Sequence, residues 1–406
     1  MKKNLRNSLI LALGLITTGV FAQDWSGDSR TRINMHGEND MMSTDQRATL
    51  GVTWGDSDWG IHVSGVVNYT LGENDETTPA SIDVYEAYGT TSLFGFANMT
   101  AGRQALEYGS GTIIGKNDWN PVRQTWDGMK FSVNNDLANV DIGWFRENAP
   151  EEDADTVMQE NSNNALFANL SKSGDNWNMN LFYMDNSAID GGEAGDKSNA
   201  MGLDLNYTMS GFDLGLSYNT ASTTAAGETP TDMDVMTISA GYAVNDNLSL
   251  GLSRTAYGES GFASGVGNLG GYLGHANDTL VDDTTGLQIN QVSTSANADG
   301  SDNNWLTHGN MGHLAAEDVA MSVDVDYTMG AVSLSVGWTT VSSGMEAPED
   351  TQRDGVDWDE WDRTVVDFGL GYSLNDNASL SLRYVTDAIA EGDADKYMWV
   401  GLQITP

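Results

Sequence analysis

Arg30, Arg32 and Asn34 stand at alternate positions, separated by Thr31, Ile33 and Met35. A second set, Arg47, Thr49, Gly51 and Thr53, alternates with Ala48, Leu50, Val52 and Trp54. A period of two sends successive side chains to opposite faces of an extended strand, so each arginine shares a face with polar or small residues. A guanidinium keeps its charge at any physiological pH and offers several directed donors to a carboxylate or a sugar oxygen. The chemistry expected is solute recognition rather than bond cleavage. Arg103, Lys116, Arg123, Lys130 and Asp127 extend the candidate set, and Asp204, Asp213, Asp324, Asp326 and Asp367 supply the opposite charge. Two roles stand for the arginines: contact with a passing solute, or bracing by carboxylates such as Asp83, Glu86, Glu107 and Asp127. If the two sets face each other across water, a transverse field orients dipolar or zwitterionic solutes.

Other chemistries are poorly served. Ser253 or Ser260 would need a histidine base from His36, His62, His275, His308 or His313, and no Gly-x-Ser-x-Gly element accompanies them. His308 and His313 with Asp302 lack a zinc-ligand spacing. Gly109, Gly111 and Gly115 are not followed by the Gly-Lys-Ser/Thr ending of a phosphate loop. No catalytic role and no cofactor is expected. Calcium is the one ion that suits the acidic stretches Glu151 to Asp155 and Asp354 to Asp362, although neither follows a helix-loop-helix calcium spacing and a solvated surface explains them equally.

The elements that must position these residues are strands. Met201, Leu203, Leu205 and Tyr207 oppose Gly202, Asp204, Asn206 and Thr208, and Phe212 to Asn219 repeats the pattern. Met321 to Tyr327, Val332 to Trp338 and Val366 to Tyr372 do the same, with Asp324, Asp326 and Asp367 on the polar face. Carboxylates and glycines in mid-strand suit a water-filled lumen and not a sandwich core, where unpaired carboxylates are costly. The apolar face often ends in Tyr or Trp, as at a membrane interface.

Short turns, such as Ser210-Gly211 and Met329-Gly330, alternate with long polar links, the longest from 256 to 317. The fold class expected is therefore all-β, a transmembrane antiparallel barrel of 18 strands, or 16 if the weak fourth, fifth and eighth segments are discounted. Strands are placed at 29–37, 46–54, 60–70, 81–88, 96–103, 127–133, 137–145, 164–170 and 177–184. The remaining nine fall at 199–208, 212–219, 233–242, 247–255, 319–328, 331–341, 362–373, 378–386 and 396–404. An even count puts both mature termini on one side, expected to be periplasmic. The link from Gln104 to Trp126 either folds inward to narrow the pore or stays outside as a glycine-rich loop.

Composition frames this reading. Lys2, Lys3 and Arg6, the apolar run Leu9 to Ile16, and Val20-Phe21-Ala22 form a signal peptide over 1–22, leaving one barrel domain over 23–406. The chain has 58 acidic and 18 basic residues, so loss of three basic signal residues gives 15 − 58 = −43. Such a charge repels nucleic acid. The absence of cysteine rules out disulfides and thiolate metal sites. Expected partners are outer-membrane lipid, the barrel assembly machinery and small hydrophilic solutes. A nonconducting adhesive or structural barrel, plugged by the long link, is the competing reading; an outer-membrane hydrolase is a weaker one.

One stretch resembles a known family. Gly102-Arg103-Gln104, Tyr108-Gly109, Ile113-Ile114-Gly115, Trp119 and Arg123 with Asp127-Gly128 are similar to the Gly-Arg-Gln, Tyr-Gly, Ile-Gly, Trp and Arg-x-x-Asp-Gly signature of the alginate-export family, with one more residue between Arg123 and Asp127 than that spacing has. The resemblance implies an outer-membrane barrel, the family's namesake having 18 strands and a selective channel for a polyuronate, and it brings saccharides and uronates among the solutes expected here. Thr112 stands where that family places an arginine, and lumenal arginine is scarce for conducting a polyanion. The resemblance thus implies a porin before it implies an alginate transporter.

Overall fold

The structure, a computed structural model, describes residues 23–37, 41–71, 81–116, 118–119, 123, 125–148, 162–190, 193–224, 227–262, 314, 316–344, 352–353, 356–357, 360–390 and 392–405. The expected signal peptide and most of the 256–317 link lie outside these residues.

The first nine strands are β1 (Gln23–His36), β2 (Met41–Gly55), β3 (Trp59–Thr70), β4 (Ser81–Leu93), β5 (Ala97–Gln104), β6 (Trp126–Asn134), β7 (Asn139–Asn148), β8 (Ser162–Ser173) and β9 (Trp177–Asp190). They are followed by β10 (Glu193–Met209), β11 (Phe212–Thr224), β12 (Thr231–Asn245), β13 (Leu248–Tyr257), β14 (Asp318–Met329) and β15 (Val332–Ser343). A two-residue ladder, β16 (Gln352–Arg353) with β17 (Val356–Asp357), stands apart from the sheet. The chain then completes β18 (Asp362–Asn375), β19 (Ala378–Ile389) and β20 (Asp395–Ile404).

Eighteen strands form one antiparallel sheet, each paired with its neighbours in sequence, and β1 pairs with β20 to close it. Closure removes the free sheet edges that would otherwise expose unpaired backbone groups. The sequence count of 18 holds, and the segments flagged as weak are all present as β4, β5 and β8. Most strands run past the alternating segments at the long-loop end, as β9 does from 184 to 190, because strict alternation is needed only where one face meets lipid.

The outer face carries the apolar set. Leu203 and Tyr207 project outward with exposed Met201, Leu214 and Phe212, and the same face continues through exposed Ile238, Leu252, Val323, Trp338 and Phe368. Trp25, Trp59, Phe94, Trp177, Tyr207, Phe212 and Tyr372 are exposed toward the short-turn end, where an aromatic girdle belongs. Phe212 and Tyr242 meet across two strands with rings 4.6 Å apart. This is the surface of a transmembrane barrel. No helix among the described residues is long and apolar enough to cross a membrane, which leaves the strands to do so.

The turns explain the register. Ser210 and Gly211 both have positive φ (52° and 84°), as a two-residue hairpin turn between β10 and β11 requires. Asn245 and Asn375 each accept a bond from the backbone N–H two residues on, at 2.9 Å, in turns that mimic the backbone. Gln23 and Ile404 both lie at this short-turn end.

Candidate lumenal site

The described part of the chain between β5 and β6, residues 105–116, 118–119, 123 and 125, enters the barrel and docks on the inner wall. Its first half is held mainly by apolar packing. Leu106, Ile113 and Ile114 are buried against Trp126, Phe145, Phe167, Phe182 and Met184 on β6 to β9, each contributing about 1.5–3 kcal/mol on transfer from water. Tyr108 inserts its ring 5.3 Å from Phe182 and 5.6 Å from Phe167, and its hydroxyl donates to Asp141 Oδ2 at 3.0 Å. Burial, and secondarily the Asp141 charge, pushes that hydroxyl well above the usual phenol range. An apolar inner wall here departs from the uniformly polar lumen expected; the docked loop is what covers it.

Gly109 marks the point of closest approach. It has φ of 57°, and a Cβ added there would lie 1.8 Å from Asp204 Oδ2. Without a side chain, the turn lets Ser110 N donate to Asp204 Oδ2 at 3.0 Å, while Ser217 Oγ donates to Ser110 Oγ at 3.1 Å. The loop is thus tied to β10 and β11.

Its second half is held by arginines on the opposite wall. Arg30 donates to the carbonyls of Asp118 at 2.7 Å and Trp119 at 2.8 Å. Arg32 donates to Trp119 O at 2.8 Å and Arg47 to Asp118 O at 2.9 Å. Arg123, on the loop itself, lies 3.2 Å from Asp28 Oδ1, bonds Thr49 and covers the Tyr85 ring at 4.1 Å. In the closed ring β1 and β10 are nine strands apart in either direction. The loop therefore crosses the lumen from wall to wall. Eight residues from Ser110 to Asp118 can span at most about 28 Å, and the arginine arms and Asp204 reach inward to meet them.

Against the loop lies a cavity of about 610 Å³ whose lining includes Arg30, Arg32, Trp119, Asp326, Arg383 and Trp399. Trp119 and Trp399 meet edge to face at 5.6 Å, with the Arg383 guanidinium 5.4 Å from one ring and 5.5 Å from the other. Arg383 also pairs with Asp367, its Nε 2.9 Å from Oδ2. Indole faces and directed donors together suit a hydrated, hydroxyl-bearing solute.

Of the residues singled out in the sequence, Arg30, Arg32, Arg47, Lys116 and Arg123 converge on or within this loop. Lys116 has no ion-pair partner among the described residues. Lys130 faces inward 3.9 Å from Asp141. Asp204, Asp213, Asp324, Asp326 and Asp367 all alternate with outward apolar residues and face the lumen. Arg103 and Asp127 do not. They form a bidentate pair at 2.8 and 2.7 Å on the face shared by Met99, Ala101, Met129 and Phe131, the outside of the barrel. No register shift intervenes between β5 and its neighbours, so the bulge needed to turn Arg103 inward is absent and the lumenal expectation is corrected for both. The bulge lies instead on β4, where Tyr85 and Glu86 both face inward.

Of the expected braces Arg103–Asp127 forms, on the outer face, and the lumenal ones differ. Arg32 pairs with Asp45 at 3.3 Å and Arg47 with Asp28 at 3.6 Å, whereas Glu86 lies 3.7 Å from His62 and accepts a bond from Ala105 N. Arg383 was not singled out, although it alternates with Ser379 and Ser381 opposite Leu380 and Leu382 and is readable by the same rule. His62 is engaged by Thr53 at 2.8 Å and stacked on Tyr88, and Ser253 sits on β13 opposite Ser239. His275, His308 and His313 lie outside the described residues. So do Glu151 to Asp155 and, in the second acidic stretch, Asp354 and Asp359; among the described residues no three His, Cys, Asp or Glu side chains form a metal-sized cluster.

The family model described as Alginate export matches residues 6–238, more than half of the chain. The chain belongs to the alginate-export family. No curated protein matches this family member in sequence. Solved structures share its fold: Pseudomonas aeruginosa OccK11 (OpdR) at 12% identity, covering 94% of this chain and 95% of that one with a TM-score of 0.60. Pseudomonas aeruginosa OccK2 (OpdF), solved in complex with glucuronate, gives 12% identity, 94% and 97% coverage and a TM-score of 0.60. Pseudomonas aeruginosa OpdK, solved with vanillate, gives 12%, 95%, 98% and 0.59. For this alginate-export family member, likeness at that identity establishes the barrel and nothing finer.

Proposed function

We propose that the protein is an outer-membrane channel for passive, non-enzymatic passage of small hydrophilic solutes, with saccharides as the first class to test and the short-turn end, carrying both mature termini, in the periplasm. The observation that carries this reading is the loop docked across the lumen, which narrows an 18-stranded barrel to a defined cavity beside Trp119 and Arg383. A barrel of this size left open would sieve only coarsely, and a loop fixed to both walls sets a narrower aperture. The family description and the glucuronate held by OccK2 support including uronates among the solutes tried. Candidate solute contacts are Arg30, Arg32, Lys116, Trp119, Arg383 and Trp399.

The test is single-channel recording of the purified mature protein in planar bilayers, with neutral and acidic sugars added. Stable openings blocked by sugar in a concentration-dependent manner are expected. Correctly folded protein that never opens would sink the channel and favour an adhesive or structural barrel.

A further inference from the structure

The distribution of unpaired charge in the lumen points to a property opposed to polyanion transport. Eight consecutive strands, β8 to β15, carry only three basic residues, Lys172, Lys197 and Arg254. All three point outward. Arg254 alternates with exposed Leu250 and Leu252 and stands opposite exposed Ile238 and Met321. Lys197 shares the outward face of Met201, and Lys172 that of Leu170, whose partner is exposed Leu181. Over the same arc Asp204, Asp213, Asp324 and Asp326 face inward. Among the described residues Asp204 and Asp213 accept only neutral donors, Ser110 N at 3.0 Å and Thr208 Oγ1 at 2.6 Å, and Asp324 and Asp326 have no ion-pair partner.

The basic charge on the other side is largely cancelled. Arg32, Arg47, Arg123 and Lys130 lie 3.2–3.9 Å from Asp45, Asp28 or Asp141, and Arg363 and Arg383 pair with Asp387 and Asp367. Two lumenal cations keep their charge: Arg30, whose donors go to neutral carbonyls of the loop, and Lys116, which has no ion-pair partner among the described residues. Space is also open on the acidic side, and Asp326 lines the larger cavity near Trp119 as well. A cavity of about 380 Å³ lies against β10 to β14, where Gly241, Gly251, Ser239 and Ser253 keep the wall low between Asp213 and Asp324.

We infer that the open path runs along this acidic arc and selects for cations and cationic solutes over anions, with Asp213, Asp324 and Asp326 as the specificity-determining residues. The inference rests on the channel reading and supplies the charge class of its solutes. Uncompensated carboxylates along a confined aqueous path raise the local concentration of cations and repel anions, so a polyuronate meets a barrier here that a neutral sugar or an amine does not.

Reversal potentials in planar bilayers under a tenfold KCl gradient test it. At about 0.1 M salt, where the screening length is near 10 Å, a severalfold preference for potassium over chloride is expected. It should shrink toward unity near 1 M, where that length is about 3 Å. The D213N/D324N/D326N variant should lose most of the preference at low salt, while Arg383→Gln, which frees Asp367, should increase it; circular dichroism verifies the strand content of both. Openings that favour chloride, or a preference untouched by the triple variant, would overturn the inference and leave the channel standing. Absence of openings in the folded wild type would remove the channel itself.

Discussion

Arg32 covers the indole of Trp119 at 4.5 Å while the same guanidinium donates to the Trp119 backbone carbonyl at 2.8 Å. One side chain of β1 thus fixes both the ring and the main chain of a residue on the lumen-crossing loop, and Asp45 steadies it from behind at 3.3 Å.

Replacing Arg32 with Ala removes a charged hydrogen bond and a cation–π contact and leaves Asp45 with Asn34 as its remaining side-chain donor. A loss of about 2–4 kcal/mol is expected from these contributions, measured as a fall in the denaturant midpoint. Single-channel conductance should rise and become noisier as the second half of the loop lifts from the wall. Unchanged conductance with lowered stability would show that the loop does not set the aperture.

Gly109→Ala places a methyl 1.8 Å from Asp204 Oδ2 at a residue with φ of 57°. Such a contact forces the loop off β10 and should cost about 1–3 kcal/mol together with the Ser110–Asp204 bond. Gly111→Ala is the matched comparison: φ is 75°, but the nearest atom to its added Cβ is 3.8 Å away. It should show only backbone strain. Equal effects on conductance from the two variants would argue against the Gly109–Asp204 approach as the anchor.

The raised pKa of Tyr108 gives a pH dependence with a definite sign. A phenol in the unfolded chain ionises near 10, whereas burial and Asp141 hold the docked one protonated. The stabilising contribution is therefore complete below pH ~10 and is lost as pH rises above it. Stability measured between pH 8 and 11 should fall at the alkaline end. Tyr108→Phe should flatten that fall while lowering stability at pH 8 by about 1–3 kcal/mol, since Asp141 loses a donor.

Adjacent positions on β13 test which face meets lipid. Leu252 is 57% exposed on the outside, and Ser253 lines the inner acidic wall. Leu252→Arg should destabilise the inserted barrel by about 2–4 kcal/mol. Ser253→Arg should insert normally and shift reversal potentials toward anions, because it sets a guanidinium beside Asp324. If Ser253→Arg were the variant that failed to insert, the assigned faces would be reversed.

All eighteen strands were legible because alternation is a local property: Asp324 and Asp326 sit between Val323, Val325 and Tyr327 whatever the rest of the chain does. The same rule, applied strictly, excludes Arg103 from the lumen, since Met99 and Ala101 share its parity and β5 has no register shift against either neighbour. Arg383 was equally readable and was overlooked. What alternation cannot supply is pairing across the lumen. Nothing in the sequence joins Arg30 to the carbonyl of Trp119, because 89 residues and a ring closure separate them. The apolar inner wall left a trace in Leu181-Phe182-Tyr183-Met184, where both faces are hydrophobic. A strand apolar on both sides must be covered on both, and within a barrel a loop from the same chain is the cover.

Trp119 also has a bearing on how the molecule is sealed. It rests on Arg32 of β1, Arg383 of β19 and Trp399 of β20, the strands that flank the junction of first and last. Two of these three supports, Arg383 and Trp399, belong to the last two strands of the barrel. The loop cannot settle until the C-terminal strand arrives, so an aperture of the right width doubles as proof that the ring has shut, and a chain truncated before Trp399 would be both unsealed and ungated.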